Sequence, residues 1–191
     1  MDRSFLLRDT VEAAERLIGC LLVRKTEQGT IRVRITETEA YKGKEDPASH
    51  AFRGMTHRNR HMFGEVGVLY VYLIYGMHYC MNIAAHEPGE AGAVLIRAAE
   101  PVEGIGWIRA NRPGVPDRSL MDGPGKLAKS LGIDISFDGT DLFQPLSEIT
   151  IERGDGPPVS IRRTPRIGIS RATEKLWRFV AEAADNKQAQ S

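Results

Sequence analysis

The stretch "LYVYLIYGMHYCMN", residues 69–82, limits the possible folds more than any other part of the chain. Its first half alternates as a strand does, with Leu69, Val71 and Leu73 on one side and Tyr70, Tyr72 and Ile74 on the other. Tyr75-Gly76-Met77 interrupts the alternation, and β-type residues then resume. Glycine makes a tight reversal cheap, so the simplest geometry is an antiparallel hairpin over 67–84 with Tyr75 and Met77 at or beside its tip. Large apolar groups on an exposed turn gain no packing, so the arrangement asks for a reason outside folding.

A second alternation bears on chemistry. "IRVRITETEAY", residues 31–41, puts Arg32, Arg34, Thr36 and Thr38 on one strand face and Val33, Ile35, Glu37, Glu39 and Tyr41 on the other. The carboxylates thus continue the apolar face. If Val33 and Ile35 enter the core, Glu37 and Glu39 enter it too or line a cleft beside it, where a carboxylate is costly unless paired or used. A strand that bulges or ends before Glu37 would leave both acids in water. The segment by itself leaves both readings open.

The remaining elements follow from capping and breaker signals. "DTVEAAERLIG" has a capping Asp9 or Thr10 and an apolar stripe at Val11, Ala14, Leu17 and Ile18, predicting a helix that ends near Gly19. Strands are expected at 20–25 and 30–39, then an irregular basic stretch to about 66, and a further strand in "GAVLIRAAEP". Helices are expected near 102–109, 125–131 and 172–183, with a Pro- and Gly-rich loop in "NRPGVPDRSLMDGPG". The 191 residues suit one domain, taken as 1–183 with a disordered tail from 184.

At 41% hydrophobic and 27% charged, with no apolar run of membrane-spanning length, the composition is that of a soluble protein. The start, "MDRSFLLRDT", lacks a long apolar region with a small-residue cleavage site, so the expected location is cytoplasmic. Cys20 and Cys80 fit a reducing compartment and read as buried thiols. The net charge of +1 says little about nucleic acid, but its distribution says more. "FRGMTHRNRHMF" holds Arg53, Arg58 and Arg60 with no acid, and "IRRTPRIGISRATEKLWR" holds six Lys and Arg against Glu174, so two basic patches are available for phosphate. His57 and His61 stand four apart, a spacing used by zinc-binding helices, although the glutamate of a zinc-protease motif is missing. "DGPGKLAKSLG" departs from a phosphate loop at Leu120 and Leu127, leaving a helix start with Lys126 nearby.

Taken together, "ETEAY", "SHAFRG", "RNRHMF", "LYVYLIYGMHYCMN", "LIRAAEP", "GPGKLAKSLGI" and "PRIGIS" resemble the alkyladenine, or 3-methyladenine, DNA glycosylase family in order and spacing, from about residue 6 to 179. The chain departs from the family at His57, where proline is common, and after "WRF", where a glycine-containing segment is usual. The resemblance implies an α+β fold: one compact domain around a curved, largely antiparallel sheet, with a hairpin that enters the minor groove of damaged double-stranded DNA.

It also implies a monomer that needs no cofactor and no metal. Tyr75 and Met77 match the DNA wedge. Tyr41, His50 and Tyr72 match the base-stacking positions, whose aromatic faces suit an electron-poor alkylated purine. Glu39 matches the general base, while Arg97 and the Ile167 carbonyl match groups that position the attacking water. Asn82 matches the position against the minor-groove edge of the flipped base. Arg53, Arg58 and Lys126 are the candidates for DNA backbone contacts, and Glu37 is expected to be structural support. Two rivals stand beside this reading: a metal-dependent hydrolase using His57 and His61, and a non-catalytic DNA-binding module.

Overall fold

A computed structural model describes residues 2–156 and 160–182. Its core is an antiparallel sheet. The strands are β1 (Leu21–Thr26), β2 (Gly29–Lys42), β3 (Leu69–Ile74), β4 (His78–Ala84), β5 (Gly92–Glu103), β6 (Ile149–Glu152), β7 (Ile161–Thr164) and β8 (Arg178–Ala181). The order is β3-β4-β5-β2-β1-β6, and β8 joins β2 and carries β7. All pairings are antiparallel, and the helices α1 (Thr10–Arg16), α2 (Ile105–Asn111) and α3 (Pro124–Leu131) lie outside them, so the class is α+β. No described helix is long and apolar enough to cross a membrane.

Local signals explain most of these elements. Asp9 caps α1, accepting from the Val11 and Glu12 amides, and the chain leaves the helix through Gly19 at φ +85°. α1 buries Ala13 and Ala14, while α3 buries Leu127, Ala128 and Leu131 against β4 and β5. Leu127, which spoils the phosphate-loop motif, is a core residue. Cys20 and Cys80 are both free and buried.

β2 departs from simple alternation, and the face expected for its acids is corrected here. Its partners on β5 run Ile35↔Ala99, Glu37↔Ala98, Thr38↔Ile96, so Thr36 is an extra residue on β2 and Arg97 an extra residue on β5. Two opposed bulges bracket Glu37 and reverse the facing of everything beyond it. Ile31, Val33 and Ile35 enter the core, and beyond the bulges it is Thr38 and Ala40 that do so. Glu37, Glu39 and Tyr41 turn to the opposite face of the sheet. They still escape water, because the sheet curls and that face is roofed by the loop after β7.

A second correction concerns the helix expected at 172–183. Residue 183 lies outside the described residues, and the rest forms a turn followed by β8. Helix-favouring Glu, Lys and Ala are outweighed by strand pairing that sends Phe179 into the core and Arg178 to the other face. The tail from 184 lies outside the described residues.

The reversed phase of β2 is anchored by a bond that can be tested. Thr38 Oγ1 donates to the Ala14 carbonyl at 2.7 Å, meeting one of the acceptors left open at the end of α1. Thr38→Val keeps the shape and orphans that acceptor, so the expected loss of stability is about 1–3 kcal/mol. Urea denaturation measures it, and an unchanged midpoint would show that the bond does not hold α1 on the sheet.

Candidate active site

The two bulges bring a buried carboxylate behind the wall of a cavity, bonded to three residues that line it. Glu39 is completely buried. Its Oε1 accepts from the Ile167 amide at 2.7 Å, and its Oε2 accepts from the Tyr41 hydroxyl at 2.8 Å and from Arg97 Nη1 at 3.3 Å. Burial, then the Glu39 charge, pushes the Tyr41 phenol well above its ordinary range, so Tyr41 keeps its proton and donates it to the carboxylate. Glu37 accepts from Arg97 Nε at 2.8 Å and from Arg178 Nε at 2.6 Å. It therefore orients Arg97 from behind.

The cavity has a volume of about 360 Å³, and its lining includes Tyr41, His50, Tyr72, Asn82, Arg97 and Ile167. These are the residues that the sequence nominated for the pocket and its water. His50 and Tyr72 meet edge to face with centroids 4.8 Å apart. His50 Nδ1 lies 3.0 Å from the hydroxyl of the buried Tyr70. Burial, followed by the charge of Arg58, holds the His50 imidazole below its ordinary value. Asn82 is buried and donates from Nδ2 to the Tyr70 carbonyl at 3.0 Å while also lining the cavity. A larger apolar hollow of about 600 Å³ lies between the N-terminal turn and residues 86–90, but the residues that hold the carboxylate and the aromatic walls belong to the smaller cavity.

The hairpin reaches the rim of the same cavity, which Ile74, Tyr75 and His78 help to line. Tyr75 is 84% exposed and Met77 70%, so neither serves the core. Tyr75 has φ +53° and Gly76 φ +68°, the double left-handed pattern of a tight hairpin turn. Glycine adopts it freely, whereas a tyrosine there is strained.

The basic patches fare differently. Arg53 and Arg58 are exposed, and Arg58 lies over the Tyr72 ring. Lys126 is half-exposed and pairs with Asp122 at 2.7 Å. Much of the second patch is already engaged within the protein: Arg163 with Glu15, Arg178 with Glu37 and Arg166 with Asp46. Arg166 belongs to the patch expected to be available for phosphate, yet its side chain is fully buried. It donates to both Asp46 oxygens at 2.6 and 2.8 Å and to the Ala40 carbonyl at 2.8 Å. It thereby fixes the loop whose next residue, Ile167, reaches Glu39. Partners 120 positions apart leave no local signal, so Arg166 and Asp46 escape a reading by motif.

His57 and His61 do not share an α-helix. The only helical turn there is a 3-10 turn over Arg60–Phe63, and His61 Nε2 faces Asp138 at 3.4 Å. Among the described residues no group of three or more His, Cys, Asp or Glu side chains gathers in a metal-binding cluster.

The sequence profile of the family described as Methylpurine-DNA glycosylase matches residues 4–185. The chain belongs to the methylpurine-DNA glycosylase family. With membership goes the reaction class, a DNA N-glycosylase, a hydrolase acting on DNA. A relative from Chlorobaculum tepidum is 48% identical over 179 residues, covering 93% of this chain and 85% of its own length. A second from Chlorobaculum parvum is 47% identical over 181 residues, covering 94% and 86%, and a third from Nocardia farcinica is 44% identical over 181 residues, covering 91% and 84%. Each carries the name "Putative 3-methyladenine DNA glycosylase".

Two measurements test this geometry without DNA. Tyr75→Asn puts a residue suited to the left-handed turn in place of a strained one, and should stabilise the protein by up to about 1 kcal/mol. A loss of melting temperature would mean that Tyr75 packs in solution. The His50 imidazole should titrate below 6.5 by NMR. Because the folded state holds the proton more weakly than the unfolded chain, this group's contribution to stability is complete above pH 6.5 and is lost as pH falls through the folded value. A midpoint at or above 6.5 would contradict the burial.

Proposed function

We propose that the protein extrudes alkylated or deaminated purines from duplex DNA and hydrolyses the N-glycosidic bond with water activated by Glu39. The substrate class covers 3-methyladenine, 7-methylguanine, hypoxanthine and ethenoadenine. The observation that carries this reading is the buried Glu39 carboxylate, held by three residues that line an aromatic cavity beneath an exposed hairpin tip. A non-catalytic DNA-binding module would have no use for that carboxylate, and burying it without a task would only destabilise the fold.

In the proposed reaction, Tyr75, with Met77 beside it, enters the space vacated by the flipped nucleotide, offsetting part of the unstacking cost. The base stacks between Tyr41, His50 and Tyr72. Water, positioned by Arg97 and the Ile167 carbonyl, gives a proton to Glu39 as its oxygen bonds to the anomeric carbon. The carbon–nitrogen bond breaks, its electron pair leaves with the purine, and the carboxylate stabilises the positive charge that develops on the sugar. A purine that is cationic through alkylation leaves neutral, whereas an uncharged purine needs a proton as it goes.

Asn82 guards the pocket by meeting the exocyclic amino group that guanine alone carries on its minor-groove edge. Arg53, Arg58 and Lys126 contact phosphates, and the enzyme works as a monomer on a domain spanning residues 1–183. No covalent enzyme–DNA intermediate forms, since water is the nucleophile.

Glu39→Gln is the direct test. The amide keeps the shape but cannot take the proton, so binding to damaged duplex should persist while base release falls by about a hundredfold or more. Near-normal turnover would remove Glu39 from the mechanism. Borohydride should trap no covalent species with the wild-type protein; trapping through a lysine would instead indicate a lyase.

A further inference from the structure

Two aromatic walls of the cavity, Tyr41 and Tyr72, each carry a guanidinium. Arg166 Cζ lies 4.7 Å from the centroid of Tyr41, and Arg58 Cζ lies 5.2 Å from that of Tyr72. The two tyrosines line the cavity and neither arginine does, so each guanidinium lies against its ring from outside the lining while the ring itself borders the space a base would fill. Arg166 is itself layered against Trp177 at 5.1 Å, and Lys175 Nζ lies 4.0 Å from that indole.

An aromatic face attracts a cation through its quadrupole. When one face is already taken by a guanidinium, a second cation arriving on the other face meets a ring polarised away from it, together with the repulsion of the first charge. An uncharged base meets no such penalty. The other charges around the site do not cancel the effect. Glu37 and Glu39 are matched by Arg97 and Arg178, and Asp46 weakens Arg166 only in part, from its Nη edge. Among the described residues no carboxylate pairs with Arg58. Its influence already reaches the pocket, since after burial it is the charge that lowers the His50 imidazole.

We propose that Arg58 and Arg166 are specificity-determining residues that set the charge preference of the pocket: by backing Tyr72 and Tyr41 they remove the cation attraction of the aromatic walls. Seating of a flipped base then favours uncharged purines. Positively charged alkylated purines are processed because their bond to the sugar is weak, not because the pocket holds them better. This inference rests on the glycosylase reading above and deepens it.

The experiment compares kcat/KM for base release from duplexes carrying 7-methylguanine, which is cationic, and hypoxanthine, which is not. Arg58→Gln should raise the ratio of cationic to uncharged substrate by about twofold to fivefold, the range spanned by an exposed cation–π contact. An equal fall on both duplexes would make Arg58 a phosphate contact only, and a lower ratio would mean that it helps cations; either overturns the proposal. In the free protein the same substitution should raise the His50 titration midpoint, and an unmoved midpoint would show that the guanidinium does not act on the pocket. Arg166→Gln combined with Asp46→Asn removes both buried charges together and should shift the ratio the same way. Should that pair fail to fold, the surface substitution at Arg58 still decides. Wild-type protein that releases neither base would refute the glycosylase reading itself, a distinct outcome.

Discussion

A carboxylate shut away from water must find its hydrogen-bond donors inside the protein, and the site is organised around meeting that need for Glu39. Its three donors come from different parts of the chain: Tyr41 two residues along the same strand, Arg97 from the neighbouring strand, and the Ile167 amide from a loop 128 positions away. A missing donor would leave buried charge uncompensated, which is among the costliest defects a fold can carry. The same arrangement keeps both oxygens engaged until a water molecule or substrate competes for them. Holding the proposed general base still and stabilising the fold are thus one problem, solved by one set of bonds.

The loop that carries Ile167 has its own constraint. Between β7 and β8 it has little regular structure, and it is held by the residue just before Ile167, Arg166, which is clamped on Asp46 and the Ala40 carbonyl. Removing two such charges from water is expensive, and a hydrophobic pair of similar volume would often be as stable. What a hydrophobic pair could not do is set the direction of the loop so closely. Bidentate geometry fixes the guanidinium plane, the plane lies on Tyr41, and the next amide falls on Glu39. One buried ion pair therefore aligns a wall of the cavity and a donor to its base.

Features governed by local chemistry were legible in the sequence. The hairpin, the capped helix α1 and most strands announce themselves through alternation, capping residues and glycine. The pocket residues were reached through a resemblance spread over several motifs, not through any one spacing. What stayed hidden depends on partners distant in sequence. No local pattern marks the extra residues Thr36 and Arg97, because a bulge is defined by the opposite strand. Strict alternation therefore assigns Glu39 to the face of Val33 and Ile35, whereas the paired bulges turn it to the other. The basic run from Ile161 to Arg178 looked like surface charge for the same reason, since Glu15, Glu37 and Asp46 lie far away in sequence. β8 looked helical because composition outweighs pairing when the partner strand cannot be seen.

The distribution of rigidity across the sheet follows from these constraints. Glu39 lies on β2, an interior strand that pairs with β1, β5 and β8, so the carboxylate sits where the backbone is most heavily tied. Tyr75 lies at the end of the β3–β4 hairpin, and β3 is an edge of the sheet. Asp138 and Thr140 occupy part of that edge by accepting from the Val71 and Leu69 amides, which blunts it against pairing with another chain. The tip beyond is left without support. Strain there is tolerable because a poor turn at the end of an edge hairpin costs local stability and disturbs nothing in the core. The same strain on β2 would be passed directly to the carboxylate. The proposed division of labour, a buried charge held still and a side chain offered to DNA, is served by keeping the two on strands that do not touch, and this sheet keeps β4 and β5 between β3 and β2.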